Sequence, residues 1–302
     1  MDTFIDLYIN YLETDGRKAK NTLDAYRRDI REFHRHITAN GVKDISELTN
    51  ADIVSFMMKL KNEGRSGATV NRKMASVRSY TSYLLREGVL KNNPAEDIKP
   101  PHIERRDVEY LTIQEVEAIL AAPDDSVKGL RDRAILEMMY GTGVRVTEIT
   151  EVRLDDINFR IGFITCSGEF GKARIIPLGR PCKLALEEYV DKSRKILIGG
   201  KRSGDGSADS NPYLFVNYHG EKLTRQGLWK IVRTYAEKAG VNKKLTPQIL
   251  RNSFAVHMVQ NGADLKSIQE LMGYEDITTA QIYLSVTKNR IKEVYDKTHP
   301  RA

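Results

Sequence analysis

The sequence predicts a mainly α-helical protein with two domains and one small antiparallel sheet. Within residues 1–95, apolar side chains recur every three or four positions, a spacing typical of amphipathic helices. The stretch NNPAEDIKPPHIERRD at 92–107 breaks that spacing, and its prolines favour an extended chain because proline removes a helical N–H donor. At 159–178, two β-rich runs flank a glycine-rich turn, which predicts a hairpin. We therefore divide the chain into a helical domain at 1–95, a linker at 96–108 and a mixed α/β domain at 109–302.

Composition narrows the class of protein. At 302 residues and 34.4 kDa the chain has room for two cores, and its mean hydropathy of -0.46 is typical of a soluble protein. No run approaches the roughly 18 apolar residues that a membrane helix needs, and the acidic, amphipathic N-terminus does not resemble a signal peptide. The only cysteines are Cys166 and Cys182, which favours a reducing, cytoplasmic location over a disulfide framework.

The charge balance is compatible with a nucleic-acid partner. Lys and Arg number 48 against 41 Asp and Glu, which gives a net charge of +7 and a pI of about 9.2. Because acidic residues are also plentiful, a solvated surface of mixed charge is the simpler interpretation of the balance taken alone.

Two predicted helices of the first domain, at 21–40 and 68–87, have a basic face opposite the apolar one. A further helix is predicted between them, from Asn50 to Gly64. The candidate DNA-binding arginines on the two basic faces are Arg27, Arg28, Arg31, Arg72, Arg78 and Arg86. Such faces suit the phosphates of a duplex, although a bundle with a merely soluble surface fits the pattern equally well.

The second domain is predicted to be mostly helical outside its hairpin. Thr112 is a candidate N-cap with Glu115 as its capping-box partner. A helix is expected at 130–143 and a short strand at 213–216. Thr246 is a second candidate N-cap, followed by a proline at the first helical position.

Four stretches of the second domain carry residue types suited to phosphate chemistry. They are GTGVRVTEI with Arg145, SGEFGKAR with Lys172, LTPQILRNSFAVHM with Arg251, and LMGYEDITTAQIYL with Tyr274 and Tyr283. Taken singly, each has an ordinary structural interpretation: an arginine after a glycine turn is usually structural or solvated, a hairpin lysine is usually a surface charge, and a tyrosine is usually core.

In combination and order, these stretches resemble the tyrosine recombinase or phage integrase family, especially its Xer-like members. The matching segments are GTGVRVTEI, GKARIIPL, QILRNSFAVH, GADLKSIQELMGY and TTAQIYL. The likeness covers residues 111–302 strongly and extends more loosely to the N-terminal bundle, which looks like the family's SAM-like core-binding domain. It implies a site-specific DNA recombinase that cuts and rejoins strands through a 3′-phosphotyrosyl intermediate, with no metal or other cofactor.

The resemblance also implies a role for each matching residue. Tyr283 is the expected nucleophile, and Arg145 and Arg251 are expected to clamp the phosphate, because guanidinium groups offer paired, charge-assisted hydrogen bonds to its oxygens. The family draws the proton for the departing 5′ oxygen from a hairpin lysine, which corresponds here to Lys172. His257 corresponds to a structural histidine.

The sequence departs from the family pattern at three catalytic positions. Gln248 and Tyr274 stand where the family has histidines, and counting without gaps places Glu169 rather than Lys172 at the usual hairpin lysine. The residue after Arg251, often histidine, is Asn252. One side chain's acid–base help is worth roughly 10²–10⁴ in rate. A weakened or inactive paralogue that acts as a sequence-specific DNA-binding protein is therefore the alternative hypothesis.

The resemblance extends to partners and assembly. Duplex DNA is expected to lie between the two domains of a C-shaped clamp, with Arg225 and Trp229 where relatives approach DNA. For Trp229, however, a buried position is the expectation we favour. A helix in the tail after Leu284 is expected to dock on a neighbouring protomer, with docking on its own domain as the alternative for the free state. The resemblance thus implies monomers alone and tetramers on paired sites.

Overall fold

A computed structural model of the protein describes residues 2–14, 18–99, 107–167, 173–199, 211–241, 243 and 245–284. The chain forms two compact units, Met1–Arg106 and Asp107–Ala302, each with its own hydrophobic core. Helix predominates, and the described strands form one small antiparallel sheet. The predicted fold class is thereby confirmed. Within the described residues, every helix falls short of the length and apolar character that a bilayer span demands.

The first unit is a helical bundle. Its helices are α1 (Asp2–Thr14), α2 (Lys20–Ala39), α3 (Asn50–Asn62) and α4 (Gly67–Arg86), with a 3₁₀ turn at Ile45–Glu47. Helix α2 packs against the other three, and their apolar faces form one core. The helices predicted at 21–40, 50–64 and 68–87 are confirmed.

A buried group of charges joins α2 to α4. The Asp29 side chain is 2% exposed, and its carboxylate accepts hydrogen bonds from Arg72, from Lys73 Nζ at 3.3 Å and from Ser76 Oγ at 2.9 Å. Lys73 also pairs with Glu32, at 2.6 Å. The Arg72 guanidinium, predicted to contact DNA, is therefore engaged by a carboxylate of its own bundle.

The second unit is built around α6. Its helices are α5 (Ile113–Ala121), α6 (Val127–Thr142), α7 (Val146–Glu151), α8 (Arg180–Glu188), α9 (Lys195–Gly199), α10 (Arg225–Lys238), α11 (Pro247–Gln260), α12 (Leu265–Met272) and α13 (Ile277–Ala280). A π-helical turn at Tyr189–Arg194 joins α8 to α9, and 3₁₀ turns lie at Leu154–Asp156 and Gln281–Tyr283. Helix α6 packs against α5, α8 and α11. The predicted helix at 130–143 and the predicted N-caps Thr112 and Thr246 are confirmed.

The sheet has the order β1-β2-β3, all antiparallel. Strand β1 (Ile157–Asn158) pairs with β2 (Phe163–Ser167), which pairs with β3 (Ala173–Pro177). The predicted hairpin is confirmed, and its turn lies outside the described residues. The predicted strand at 213–216 is wrong, because Tyr213 and Val216 form only isolated bridges, with Arg153 and Lys222 respectively. The segment is too short to build a ladder, since Pro212 precedes it and a turn at 217–220 follows.

Replacing Asp29 tests the buried charge group. Asp29→Ala leaves Lys73 buried without one of its two carboxylates, and loss of one member of a buried ion pair costs about 3–5 kcal/mol. We expect the free energy of unfolding of the first unit to fall by about that amount, measured by urea unfolding of the full chain with circular dichroism. Asp24→Ala, at an exposed position of the same helix, is the control and should change it by less than about 0.5 kcal/mol. Equal losses in the two variants would contradict this account.

Candidate active site

The centre of the candidate site is the C-terminal end of helix α12. Three arginines from different parts of the second unit each donate a hydrogen bond to one of three consecutive carbonyl oxygens there. These bonds are Arg174 Nε to Leu271 at 2.8 Å, Arg251 Nη2 to Met272 at 2.6 Å, and Arg145 Nη2 to Gly273 at 2.7 Å. The last carbonyls of a helix have no partner within the helix and carry partial negative charge, so they attract cations.

Arg251 lies deepest of the three. Helix α11 begins at the Thr246 cap, which places Arg251 in its second turn with its side chain buried. The guanidinium also donates to the carbonyl of Gly143, the residue that ends α6 with φ +60°. A Cβ atom at Gly143 would meet the Phe254 ring at 2.4 Å, so glycine allows the two helices to approach. Burial lowers the pKa of Arg251, and the neighbouring Tyr274 partly offsets that effect.

Arg145 is the N-cap of α7 and is a third exposed. Its backbone N–H donates to Glu148 Oε2 at 2.6 Å, and its Nη1 donates to Glu148 Oε1 at 3.3 Å. Arg174, on β3, donates two hydrogen bonds to the same carboxylate, from Nη1 to Oε1 at 2.5 Å and from Nη2 to Oε2 at 2.9 Å. Burial alone would raise the pKa of Glu148, but the Arg174 and Arg145 hydrogen bonds outweigh it and lower the pKa.

Tyr274 links the arginines to Tyr283. Its ring centre lies 5.2 Å from the Arg251 guanidinium carbon and 5.8 Å from that of Arg145, within cation–π range. Its hydroxyl lies 2.9 Å from the hydroxyl of Tyr283. Arg145, Arg251 and the pair Tyr274 and Tyr283, which come from three separate parts of the sequence, therefore meet in one place.

The Tyr283 side chain is fully buried, at 0% exposure. Its ring packs in a small core with Phe254, Ile268 and Met272. Burial, and then the hydrogen bond with Tyr274, raise the pKa of Tyr283 above its ordinary value. The hydroxyl is therefore protonated at neutral pH in this arrangement.

The Asn252 side chain accepts a hydrogen bond from the Tyr283 hydroxyl. Tyr283 donates to Asn252 Oδ1 at 3.2 Å, and Gln248 Nε2 donates to the same oxygen at 2.9 Å. Asn252 Nδ2 in turn donates to the carbonyl of Glu109 at 3.1 Å. Gln248 and Tyr274, at the two family histidine positions, thus belong to one hydrogen-bond network with Tyr283.

A cleft of about 900 Å³ opens beside the arginines. Its lining includes Arg145, Arg251, Gln248, Arg225 and Trp229, whereas neither Tyr274 nor Tyr283 is among the lining residues. The expectation that Trp229 is buried is wrong: the side chain is 48% exposed. It projects from the N-terminal part of α10, whose buried residues, including Leu228 and Val232, pack in the core.

The other candidate residues are Lys172, Glu169 and the arginines of the first unit. Lys172 and Glu169 lie outside the described residues. In the first unit, Arg28 and Arg31 are exposed and Arg78 is half-buried. Arg27 forms an ion pair with Asp6, at 3.1 Å. The Arg86 guanidinium stacks on the Tyr11 ring, 3.8 Å from its centre. These positions stay predictions.

Sequence reasoning assigned no role to Glu148, Arg174 or Asn252. Glu148 and Arg174 stand inside two of the quoted segments, and their opposite charges are the signal that could have suggested a pair. Asn252 is one helical turn after Gln248, which is the spacing at which side chains on a helix meet.

Family comparisons agree with the geometry. A family model described as "Phage integrase family" matches residues 109–290, and one described as "Phage integrase, N-terminal SAM-like domain" matches residues 5–88. The chain belongs to the phage integrase family. The family assignment expected from the five segments is thereby confirmed.

Individual relatives support the same assignment. A protein named "Tyrosine recombinase XerD" from Listeria monocytogenes serotype 4b (strain F2365) is 41% identical over 100% of both chains. The crystal structure of XerA recombinase is 25% identical with a TM-score of 0.54, and covers 99% of this chain and 100% of that one. A XerH site-specific recombinase bound to palindromic difH substrate shares the fold, with a TM-score of 0.73 at 18% identity over 96% of this chain and 94% of that one.

His257, which the resemblance matches to a structural histidine, makes two hydrogen bonds within the second unit. Its Nε2 lies 2.9 Å from the carbonyl of Leu111, and its Nδ1 lies 3.0 Å from the Tyr140 hydroxyl. Burial lowers the pKa of His257, and the bond to Leu111 partly offsets that effect. The side chain therefore ties α11 to the start of the unit and to α6, away from Tyr283.

Gly273 packs closely against Arg174, one of the three arginines. It ends α12 with φ +63°, and a Cβ atom there would meet Arg174 Nη1 at 2.8 Å. Gly240 has nearly the same φ, +68°, with nothing within 4 Å of its Cβ position. We expect Gly240→Ala to cost about 1–2 kcal/mol, and Gly273→Ala to cost a further 1–3 kcal/mol or so because Arg174 is displaced. Chemical denaturation of the two variants measures the difference, and equal costs would contradict the packing described.

Proposed function

We propose that this protein is a site-specific DNA recombinase that cuts and rejoins DNA strands through a phosphotyrosyl intermediate on Tyr283. One observation carries the proposal: Arg145 and Arg251 converge on the ring of Tyr274, whose hydroxyl contacts that of Tyr283. Membership of the phage integrase family and the relatives named tyrosine recombinases support it. No comparison favours the inactive alternative.

Arg145 and Arg251 are the proposed phosphate clamp. Each guanidinium has five N–H donors, and the hydrogen bonds to carbonyls and to Glu148 use only some of them. Both residues line the cleft together with Gln248, whose amide can donate a further hydrogen bond. Fixed donors of this kind stabilise the extra negative charge that the pentavalent transition state places on the non-bridging oxygens.

Tyr283 is the proposed nucleophile. Its oxygen forms a bond to phosphorus while the bond between phosphorus and the 5′ oxygen breaks, so the phosphodiester energy is kept in the phosphotyrosyl link. Because the hydroxyl is buried, protonated and bonded to Asn252, attack requires that it leave Asn252 and turn towards the cleft. We therefore interpret the described arrangement as the resting state of the site.

Tyr274 is proposed to assist the nucleophile in place of the family histidine. Its hydroxyl is within hydrogen-bond distance of Tyr283, which suits it to donate a hydrogen bond to the Tyr283 oxygen as that oxygen loses its proton to solvent and attacks. The Arg251 guanidinium favours negative charge on the Tyr283 oxygen. Lys172 is proposed, from the family resemblance, to protonate the departing 5′ oxygen.

Duplex DNA is the proposed partner. In the second unit, the cleft beside the clamp also exposes Arg225 and Trp229, which suit a phosphate and a sugar or base surface respectively. In the first unit we propose DNA contacts for the arginines predicted from the sequence, among which Arg28 and Arg31 lie at exposed positions. By analogy with the family, monomers alone and tetramers on paired sites are the proposed assembly states.

Tyr283→Phe removes only the nucleophilic oxygen. We expect it to abolish the covalent protein–DNA adduct and to leave non-covalent binding unchanged, because the clamp arginines and the ring packing remain. The substrate is a nicked suicide duplex carrying the site that the unmodified protein selects from a random-sequence library, and denaturing gel electrophoresis detects the adduct. The absence of an adduct with the unmodified protein, despite specific binding, would refute the proposed function.

Tyr274→Phe keeps the ring over the two arginines but removes its hydroxyl. We expect the rate of adduct formation to fall about 10²-fold, the usual size of one acid–base or transition-state hydrogen-bond contribution, with little change in DNA affinity. Tyr140→Phe is the matched control, because the Tyr140 hydroxyl bonds to His257 instead of Tyr283. An unchanged cleavage rate in Tyr274→Phe would show that its hydroxyl has no part in the reaction.

A further inference from the structure

We propose that Arg174 is a positioning residue of the active site: by pairing with Glu148, it keeps the Arg145 guanidinium available to the DNA phosphate. The inference rests on the proposed function and identifies what holds its phosphate clamp open. Arg174 is distinct from the clamp residues, since it is not among those lining the cleft, and its side chain is only 12% exposed.

Glu148 is a potential competitor of the phosphate. Its carboxylate is 7% exposed and lies within hydrogen-bond distance of the Arg145 side chain, with Oε1 3.3 Å from Nη1. A carboxylate and a phosphate are the two anions that a guanidinium binds best, and both can take two parallel hydrogen bonds. Glu148 nevertheless makes one long side-chain bond to Arg145, because both of its oxygens are already taken by Arg174.

Removing Arg174 would leave that carboxylate buried with Arg145 as its nearest cation. A buried charge without a partner is costly, so Glu148 would draw the Arg145 guanidinium into a two-bond pair of its own. The same guanidinium could not then offer those donors to a DNA phosphate, and the uncompensated negative charge would repel the phosphate as well. Arg174 prevents both effects while remaining outside the reacting atoms.

Arg174 also fixes the backbone from which Tyr274 projects. Its Nε donates to the carbonyl of Leu271, and its guanidinium packs against Gly273 so closely that a Cβ atom there would lie 2.8 Å from Nη1. Tyr274 follows directly and contacts Tyr283. One side chain on β3 therefore connects the sheet to the clamp and to the residue beside the nucleophile.

The test compares Arg174→Gln with the double variant Arg174→Gln, Glu148→Gln. The full-length protein is assayed on the nicked suicide duplex described above, and rates of adduct formation are normalised to the folded fraction measured by circular dichroism. We expect Arg174→Gln to lower the rate about 10²-fold, as loss of one preorganised donor does. Because the competing charge is absent in the double variant, we expect its rate to recover at least about tenfold relative to Arg174→Gln.

A purely structural role would give a different result, since a second substitution in the same buried pair would not restore activity. Arg194→Gln is the matched control: Arg194 is also buried in the second unit, but it donates to the carbonyls of Asn211, Tyr213 and Leu214. It should lower the melting temperature and leave the normalised rate unchanged.

Provided that the unmodified protein forms the adduct, two results would overturn this inference and leave the proposed function standing. One is a normal rate of adduct formation in Arg174→Gln. The other is a double variant that is no faster than Arg174→Gln. A lack of adduct from the unmodified protein would instead overturn the proposed function, and the inference with it.

Discussion

The convergence of three guanidinium groups on the end of helix α12 is the interaction on which the rest of the site depends. Three cations held so close together repel one another, and Arg251 is also buried, which is costly for a charged group. The carbonyls of Leu271, Met272 and Gly273 and the Glu148 carboxylate provide the acceptors that offset these costs. The positive charge is thus in place before any DNA arrives, which is what electrostatic preorganisation requires.

The surroundings of Tyr283 suggest how such a site avoids unwanted chemistry. Its ring is packed in a core, and its hydroxyl donates to Asn252 and contacts the hydroxyl of Tyr274, so the oxygen is a poor nucleophile in the described arrangement. The proposed reaction therefore needs a rearrangement of the segment that carries Tyr283. Asn252, which accepts from the Tyr283 hydroxyl, also donates to the backbone carbonyl of Glu109 near the start of the second unit.

Most of the fold could be predicted from the sequence because local signals were strong. Helical periodicity and the caps at Thr112 and Thr246 predicted the helices, and the β-rich runs predicted the hairpin. The prediction of a strand at 213–216 was wrong because a short apolar run forms a strand only if the folded chain brings a partner strand beside it. The prediction that Trp229 is buried was wrong for a related reason. The apolar character of one residue does not reveal whether its side chain faces the core, and Trp229 is exposed beside the cleft.

The sequence by itself determined the family, the helical architecture and which tyrosine and arginines are candidates for the chemistry, because these depend on the order and spacing of residues along the chain. Only the tertiary structure decided that Arg174 pairs with Glu148, that Gln248 and Tyr274 share one network with Tyr283, and that Tyr283 is buried with its hydroxyl on Asn252. The physical reason is that hydrogen bonds and charge pairing act over a few ångströms in space. Arg174 and Glu148 are 26 positions apart and Tyr283 and Asn252 are 31 apart, so only the folded chain brings them within reach.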